Sequence, residues 1–366
     1  MPLSTFKFRP GVNTEITAYS NEGGWNDCDK VRFRFGFPEK LGGWIKYSLN
    51  TFLGICRSLH AWIALDGSKF LGVGTHKKFY IVEGGAFNDV TPIRKTTTNA
   101  ATFAATNGST TITVTDSGHG AIVGDFVTFS GAATLGGNIT AAVLNIEYEI
   151  VTVPTANTYT ITTSVAANSS DSGNGGGSVV AKYQINVGID TVVPGTGWGA
   201  GTWGRGTWGS AATTVAGGGS IRIFSQDNFG EDLLFNIRDG SIYYWDRTNG
   251  LTTRAVELST LDSNAPTVAR KVLVSDRDRH VLVFGCNPIG SSTQDKLLIR
   301  FSSQENATDW LPSATNTAGD LVVGSGSQIV SVTETRREVF ILTDNSAHSL
   351  QFIGPPFTFG LTQIST

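Results

Sequence analysis

Lys296–Asp320 reads KLLIRFSSQENATDWLPSATNTAGD. Leu297, Leu298 and Ile299 form an apolar run, Arg300 and Phe301 follow, and a polar stretch then extends to Trp310. The Gly319-Asp320 pair precedes a second apolar run, Leu321–Val323. A short continuous apolar run bounded by turn residues reads as a buried strand. A large ring a few residues further on anchors a tight polar corner. Weaker copies of this strand, corner and aromatic recur along the chain. They set the expected class: all-β, made of short antiparallel strands.

Working outward, Ser58–Leu65, Lys69–Thr75 and Lys78–Val82 read as strands, with Asp66-Gly67 as the hairpin turn between the first two. Gly84-Gly85 begins the exit and Asp89-Val90-Thr91-Pro92 stops it. Three or four short strands in about 40 residues match one propeller blade. A second such unit has Ser220–Ser225, Leu233–Ile237 and Ser241–Trp245, with Asp239-Gly240 as its hairpin and Asp246–Gly250 as its exit. A third has Lys271–Ser275, Arg279–Gly285 and Lys296–Ser302, closing at Trp310. The last comprises Leu321–Val323, Gln328–Thr333, Glu338–Thr343 and Ala347–Ile353, followed by Phe357–Ile364.

Between the first two units the composition changes. Lys95 to Ala181 is rich in Thr, Ala, Ser and Gly, and poor in aromatics. Strand-like runs are Thr110–Thr115, Phe126–Ser130, Asn145–Val153 and Thr158–Thr163, with Tyr148 and Tyr159 as core candidates and Asp171–Ser178 as a flexible tether. This reads as a small Ig-like β-sandwich of about 80 residues inserted at a surface loop. The expected organisation is therefore 1–95 as the N-terminal part of a propeller-like domain, 96–181 as the inserted sandwich, and 182–366 as the rest of the propeller. Near the N-terminus, Arg32, Phe33, Arg34 and Phe35 alternate. That pattern places the two phenylalanines on one strand face and the arginines on the other.

Composition narrows the function. The chain has 366 residues, abundant Gly (44), a single Met and a net charge of −3. Few helix formers and many turn formers favour strands. Without a strong basic patch, sequence-specific nucleic-acid recognition is not expected. Cys28, Cys56 and Cys286 are odd in number and scattered, which suits buried free thiols rather than a disulfide framework or zinc. No long apolar run suggests a membrane segment.

Gly199, Gly201 and Gly204, and again Gly204, Gly206 and Gly209, match GxGxxG, but no helix follows and Trp198, Trp203 and Trp208 interleave with them. A structural or subunit-contact loop suits these residues better than a dinucleotide site. Glu305, Asp309, Asp276, Asp278, Glu231, Asp232 and Asp239 are acidic candidates for a glycosidase pair, and all fall at expected turns. His60, His76, His119, His280 and His348 are dispersed without metal-ligand spacing. Gly324-Ser325-Gly326-Ser327 lies between strands and is no nucleophile elbow. No catalytic residue, cofactor or metal is therefore expected. Trp44, Trp198, Trp203, Trp208 and Trp310 are the candidate structural or subunit-interface anchors.

The stretch Phe301-Ser302-Ser303-Gln304-Glu305-Asn306-Ala307-Thr308-Asp309-Trp310, with Asn316-Thr317-Ala318-Gly319-Asp320, resembles a signature of the tail nozzle, or stabilisation, proteins of short-tailed bacteriophages. Val31–Trp44, Gly197–Gly209 and Phe229–Trp245 agree with it, so the resemblance spans most of the chain outside the insertion. It implies a propeller-built structural virion protein that forms a six-fold ring below portal and adaptor. Such a ring extends and closes the DNA exit channel without sequence-specific binding. Implied partners are further copies in a homo-hexamer, the tail adaptor and the tail spike or fibre, with synthesis in the host cytoplasm. Family members usually run on beyond the equivalent of Thr366, so the resemblance leaves three expectations: a short product, a truncated one, or one completed by a separate chain. Two alternatives stand beside it: a receptor- or glycan-binding tail module acting through the sandwich, and a propeller glycan hydrolase.

Overall fold

The computed structural model describes residues 8–43, 45–46, 48–173, 177–187, 223–354 and 357–365. The chain forms two compact units, Met1–Leu49 and Asn50–Thr366. In the first, β1 (Val31–Arg34) and β2 (Phe37–Lys40) form a hairpin. Phe35 and Gly36 make its turn with φ of 51° and 83°, so Phe35 is exposed at the tip. It does not share a strand face with Phe33, which packs edge-on to Trp25. Two left-handed residues suit the twist of a two-residue hairpin, and the chain turns one residue before strict alternation ends.

The second unit holds four four-stranded antiparallel meanders, as expected of propeller-like blades. Blade one is β3 (Cys56–Ile63), β4 (Lys69–Thr75), β5 (Phe79–Glu83) and β6 (Ala86–Asp89). Between it and blade two lie β7 (Ile93–Thr98), β8 (Thr102–Ala105), β9 (Thr111–Thr115), β10 (Phe126–Ser130), α1 (Ala141–Leu144), β11 (Glu147–Glu149), β12 (Thr152–Thr155), β13 (Thr158–Thr162), β14 (Asp171–Gly173) and β15 (Val180–Gln184). Blade two is β16 (Phe224–Phe229), β17 (Asp232–Ile237), β18 (Ile242–Trp245) and β19 (Val256–Glu257), followed by α2 (Leu258–Leu261). Blade three is β20 (Ala269–Val274), β21 (Val281–Cys286), β22 (Leu298–Phe301) and β23 (Gly319–Val322). Blade four is β24 (Ile329–Glu334), β25 (Val339–Thr343), β26 (Ala347–Gly354) and β27 (Thr358–Ser365). The first strands pack side by side in the series β3, β16, β20, β24.

Side-chain pattern separates the two architectures. Every residue of β21 is buried, and β17 is buried from Leu233 onward, because these strands are covered on both faces by neighbouring blades. In β9 and β13 buried residues alternate with more exposed ones, because each strand has one core face. The intervening strands form two sheets, β11-β10-β15-β7 and β12-β13-β9-β8-β14, around a cluster that includes Phe103, Phe129, Tyr159 and Tyr183.

Each blade has a fourth strand that the sequence reading treats as an exit or gives to the next unit. Leu321–Val323 is read as opening the last unit, whereas Gly319–Val322 pairs with Leu298–Phe301 and completes blade three. Likewise Thr358–Ser365 completes blade four. β6 and β19 are too short and polar to show the apolar run that marks a strand, whereas Leu321–Val323 and Phe357–Ile364 read as strands and only pairing decides the blade they close. In the sandwich, Asn145–Val153 is not one strand: Thr140 caps α1 by accepting from the Val143 amide, and β11 and β12 lie in different sheets. The expected tether begins as β14, paired with β8.

Blades one and two interlock through aromatics. Phe79 and Phe235 stack with centroids 3.8 Å apart, and Trp62, Phe70 and Trp245 continue the row. A Cβ on Gly74 would lie 2.5 Å from the Phe224 ring, so the Gly72-Val73-Gly74 run of β4 permits this approach. Of the three free cysteines, Cys286 is buried, while Cys28 and Cys56 are only partly so, short of full burial. Among the described residues no helix is long and apolar enough to cross a membrane.

One charge cluster ties blade one, the sandwich and blade two together. Lys78, only 3% exposed, pairs with Asp89 at 2.7 Å and with Glu147 of β11. Arg254 of blade two reaches Asp89 at 3.1 Å and Glu147 at 3.5 Å, and Gln184 of β15 donates to Glu147. Burial would raise the Asp89 carboxyl, but Arg254 and Lys78 outweigh it and hold it below its usual range. Breaking a buried pair leaves an uncompensated charge and costs about 3–5 kcal/mol, whereas removing both partners costs far less. Lys78→Met is therefore expected to lower unfolding free energy by about 3–5 kcal/mol in urea titration, and Lys78→Met with Glu147→Leu to recover most of it. A single-variant loss below about 1 kcal/mol would show that the cluster is not a clamp.

Candidate functional site

The sequence reading points first to the corner after β22. Arg300 is 2% exposed; its guanidinium donates to the carbonyls of Asn287 and Asn264 and lies 5.8 Å from the Trp310 ring centre. Burial lowers its pKa, opposed by Cys286, Asp320 and Asp262. Trp310 is 1% exposed, its indole N–H donates to the Ala307 carbonyl at 2.8 Å, and its amide donates to Asp262 at 3.0 Å. Both carboxylate oxygens of Asp309 accept from the Asn316 amide at 3.0 Å. Glu305 sits at a left-handed turn with φ 56°, its amide donating to Arg279 O. Asp309 is spent inside the turn and Glu305 is exposed on it, in a corner that links two strands of one blade. Trp310 is buried in that corner. Trp44, Trp198, Trp203 and Trp208 lie outside the described residues.

A second constellation forms where the first strands of the four blades run side by side. Such a strand is an edge, with amides its own blade does not pair. Ser225 Oγ accepts the Val272 amide of β20 at 2.9 Å, and Asp227 Oδ2 accepts the Val274 amide at 2.9 Å. Gln226 donates to Ser58 of β3, and His60 bonds Asn228 at 3.0 Å, with Asp227 at 3.8 Å. Beyond β20, the Asp276 amide donates to Glu334 of β24 at 3.1 Å. Side chains thus take the place of a fifth strand between blades.

This row is electrically polar. At the strand ends lie Asp227, Asp276, Asp278 and Glu334; at the strand starts lie Arg270 and Lys271, with Arg238 beside them. Burial pushes Asp227 upward, against the Val274 amide and His60. Burial, then the Asp276 charge, pushes Glu334 up to about 7. Such a carboxyl holds a proton near neutrality. The sequence reading places Asp276 and Asp278 among the acidic candidates at expected turns and passes over Asp227 and Glu334. Single acids at the ends of strands in different blades leave no local motif. Among the described residues no three His, Cys, Asp or Glu side chains could jointly hold a metal ion.

No family model matches the chain, and no curated protein matches it. Among solved structures, one titled Phage phi92 endosialidase shares 13% identity and aligns with a TM-score of 0.28. The alignment covers 90% of this chain and 50% of that one, so this chain spans about half of its length. A TM-score this low transfers neither fold nor function.

The raised Glu334 has a readable sign. Its carboxyl keeps its proton longer in the folded chain than in the unfolded one, so its contribution is fully present below pH about 4.5 and is lost as pH rises through about 7. Glu334→Gln is expected to remove this loss. Urea titrations at pH 5 and pH 8 should show the variant gaining about 1–2 kcal/mol on the wild type at the higher pH, after solvent screening is allowed for. A constant difference between the two proteins across that range would refute the assignment.

Proposed function

We propose that the chain is a structural, assembly-forming component of a bacteriophage tail, of the nozzle type. The observation that carries this reading is an apolar edge on blade one that is exposed among the described residues. On β3, Ser58, His60 and Trp62 turn toward blade two, while Leu59 and Ile63 point the other way and are 63% and 65% exposed. Beside them Val73, Tyr80 and Val82 are already buried in a small cluster with Phe52 and Phe87. An apolar edge of this kind suits burial in an assembly. We assign it to a second copy of the chain, which a ring of subunits would supply.

Two further points support the reading. The nozzle-like stretch from Phe301 to Asp320 folds as a corner around the buried Trp310, with Asp309 bonded inside the turn. The net charge of −3 suits a conduit that encloses DNA without gripping its phosphates. On this reading the chain is not an enzyme and acts in the virion, held between adaptor and spike or fibre, with six copies around the channel.

Mass photometry of the full chain, alone and mixed with tail adaptor, tests it. The wild type should enter discrete multi-copy assemblies, and Leu59→Ser with Ile63→Ser should remain folded but monomeric. A wild-type protein that stays monomeric and is absent from purified tails would sink the proposal.

A further inference from the structure

A groove of about 180 Å³ opens where β16, β20 and β24 begin, at the basic end of the row. Arg238, Arg270 and Lys271 line it, over an apolar floor that includes Phe224 and Ile329, with the exposed Ser331 beside them. Its charges are poorly compensated. Two carboxylates act on them: Asp239, 3.6 Å from Arg270 and already accepting from Gln294 at 3.0 Å, and Asp227, whose charge is felt by Lys271 but which already accepts the Val274 amide. Arg270 is 13% exposed and its Nε is buried without a partner. Lys271 donates to the Val332 carbonyl, a neutral group. Arg238 has no ion pair among the described residues. Three cations against two carboxylates, both engaged elsewhere, leave an excess of positive charge in a partly desolvated space, which a bound anion would neutralise.

We propose that this groove is an anion-binding site for a small ligand carrying a phosphate or carboxylate head on a compact body. Guanidinium groups present paired donors that match either head, and the apolar floor takes the body. The space equals that of about six waters, enough for a sugar-sized ligand and too little for a polymer duplex. The site is independent of the tail assignment, since it uses no residue of the apolar edge of blade one.

Isothermal titration calorimetry of the full chain at low salt tests it with inorganic phosphate, glucose 6-phosphate, glucuronate and glucose. Glucose 6-phosphate or glucuronate should bind and glucose should not. Binding of inorganic phosphate as tight as that of glucose 6-phosphate would assign the site to the anionic head alone. Arg238→Ala, which removes no ion pair of the fold, should keep its circular dichroism and weaken the anionic probe by about tenfold or more. The proposal fails if no anionic probe binds at millimolar concentration, if glucose binds as well as glucuronate, or if Arg238→Ala binds like the wild type.

Discussion

Everything in the blade series rests on how a neighbouring blade satisfies the amides of an innermost strand. The amides of Val272 and Val274 on β20 face away from their own sheet and would be costly if buried without partners. Ser225 and Asp227 of blade two accept them. The same two side chains therefore set the spacing and register of blades two and three. They also require a carboxylate in a partly buried place, which is why Asp227 is driven upward. Gln226 and His60 do related work between blades one and two.

That device explains the electrical polarity of the row. Acceptors are needed near strand ends; burial first, and then the charge of Asp276, make Glu334 retain its proton near neutrality. At the strand starts three cations share a groove with Asp239 beside Arg270 and the charge of Asp227 acting on Lys271, so among the described residues cations outnumber carboxylates there. The contrast is a consequence of packing four meanders side by side with their strands in one direction.

The sandwich is attached by different physics. Its own core is closed and aromatic, with the Tyr159 and Tyr183 hydroxyls 2.9 Å apart and Tyr183 donating to Asp116. It meets the blades through the Lys78, Asp89, Glu147 and Arg254 cluster. A buried ionic contact is weak as a source of stability but sensitive to geometry. It suits a module that must be held at one orientation between blade one and blade two.

Much of the blade architecture was legible because a strand covered on both faces is a continuous apolar run: Leu233–Ile237, Val281–Gly285 and Leu298–Phe301 all announce themselves. The sandwich strands were legible by alternation, and the Asp66-Gly67 and Asp239-Gly240 hairpins by their turn chemistry. β6 and β19 were not, since they are short and defined by pairing rather than by composition, and pairing alone gave β23 to blade three. Nor was the row of side chains at the centre. Ser225, Asp227, Glu334 and the three cations lie far apart in the chain and carry no shared motif. The sequence by itself determined the all-β class and the strand periods, because burial on one or two faces writes itself into local order. Only the tertiary structure decided which polar groups meet, because edge amides acquire their partners from another blade.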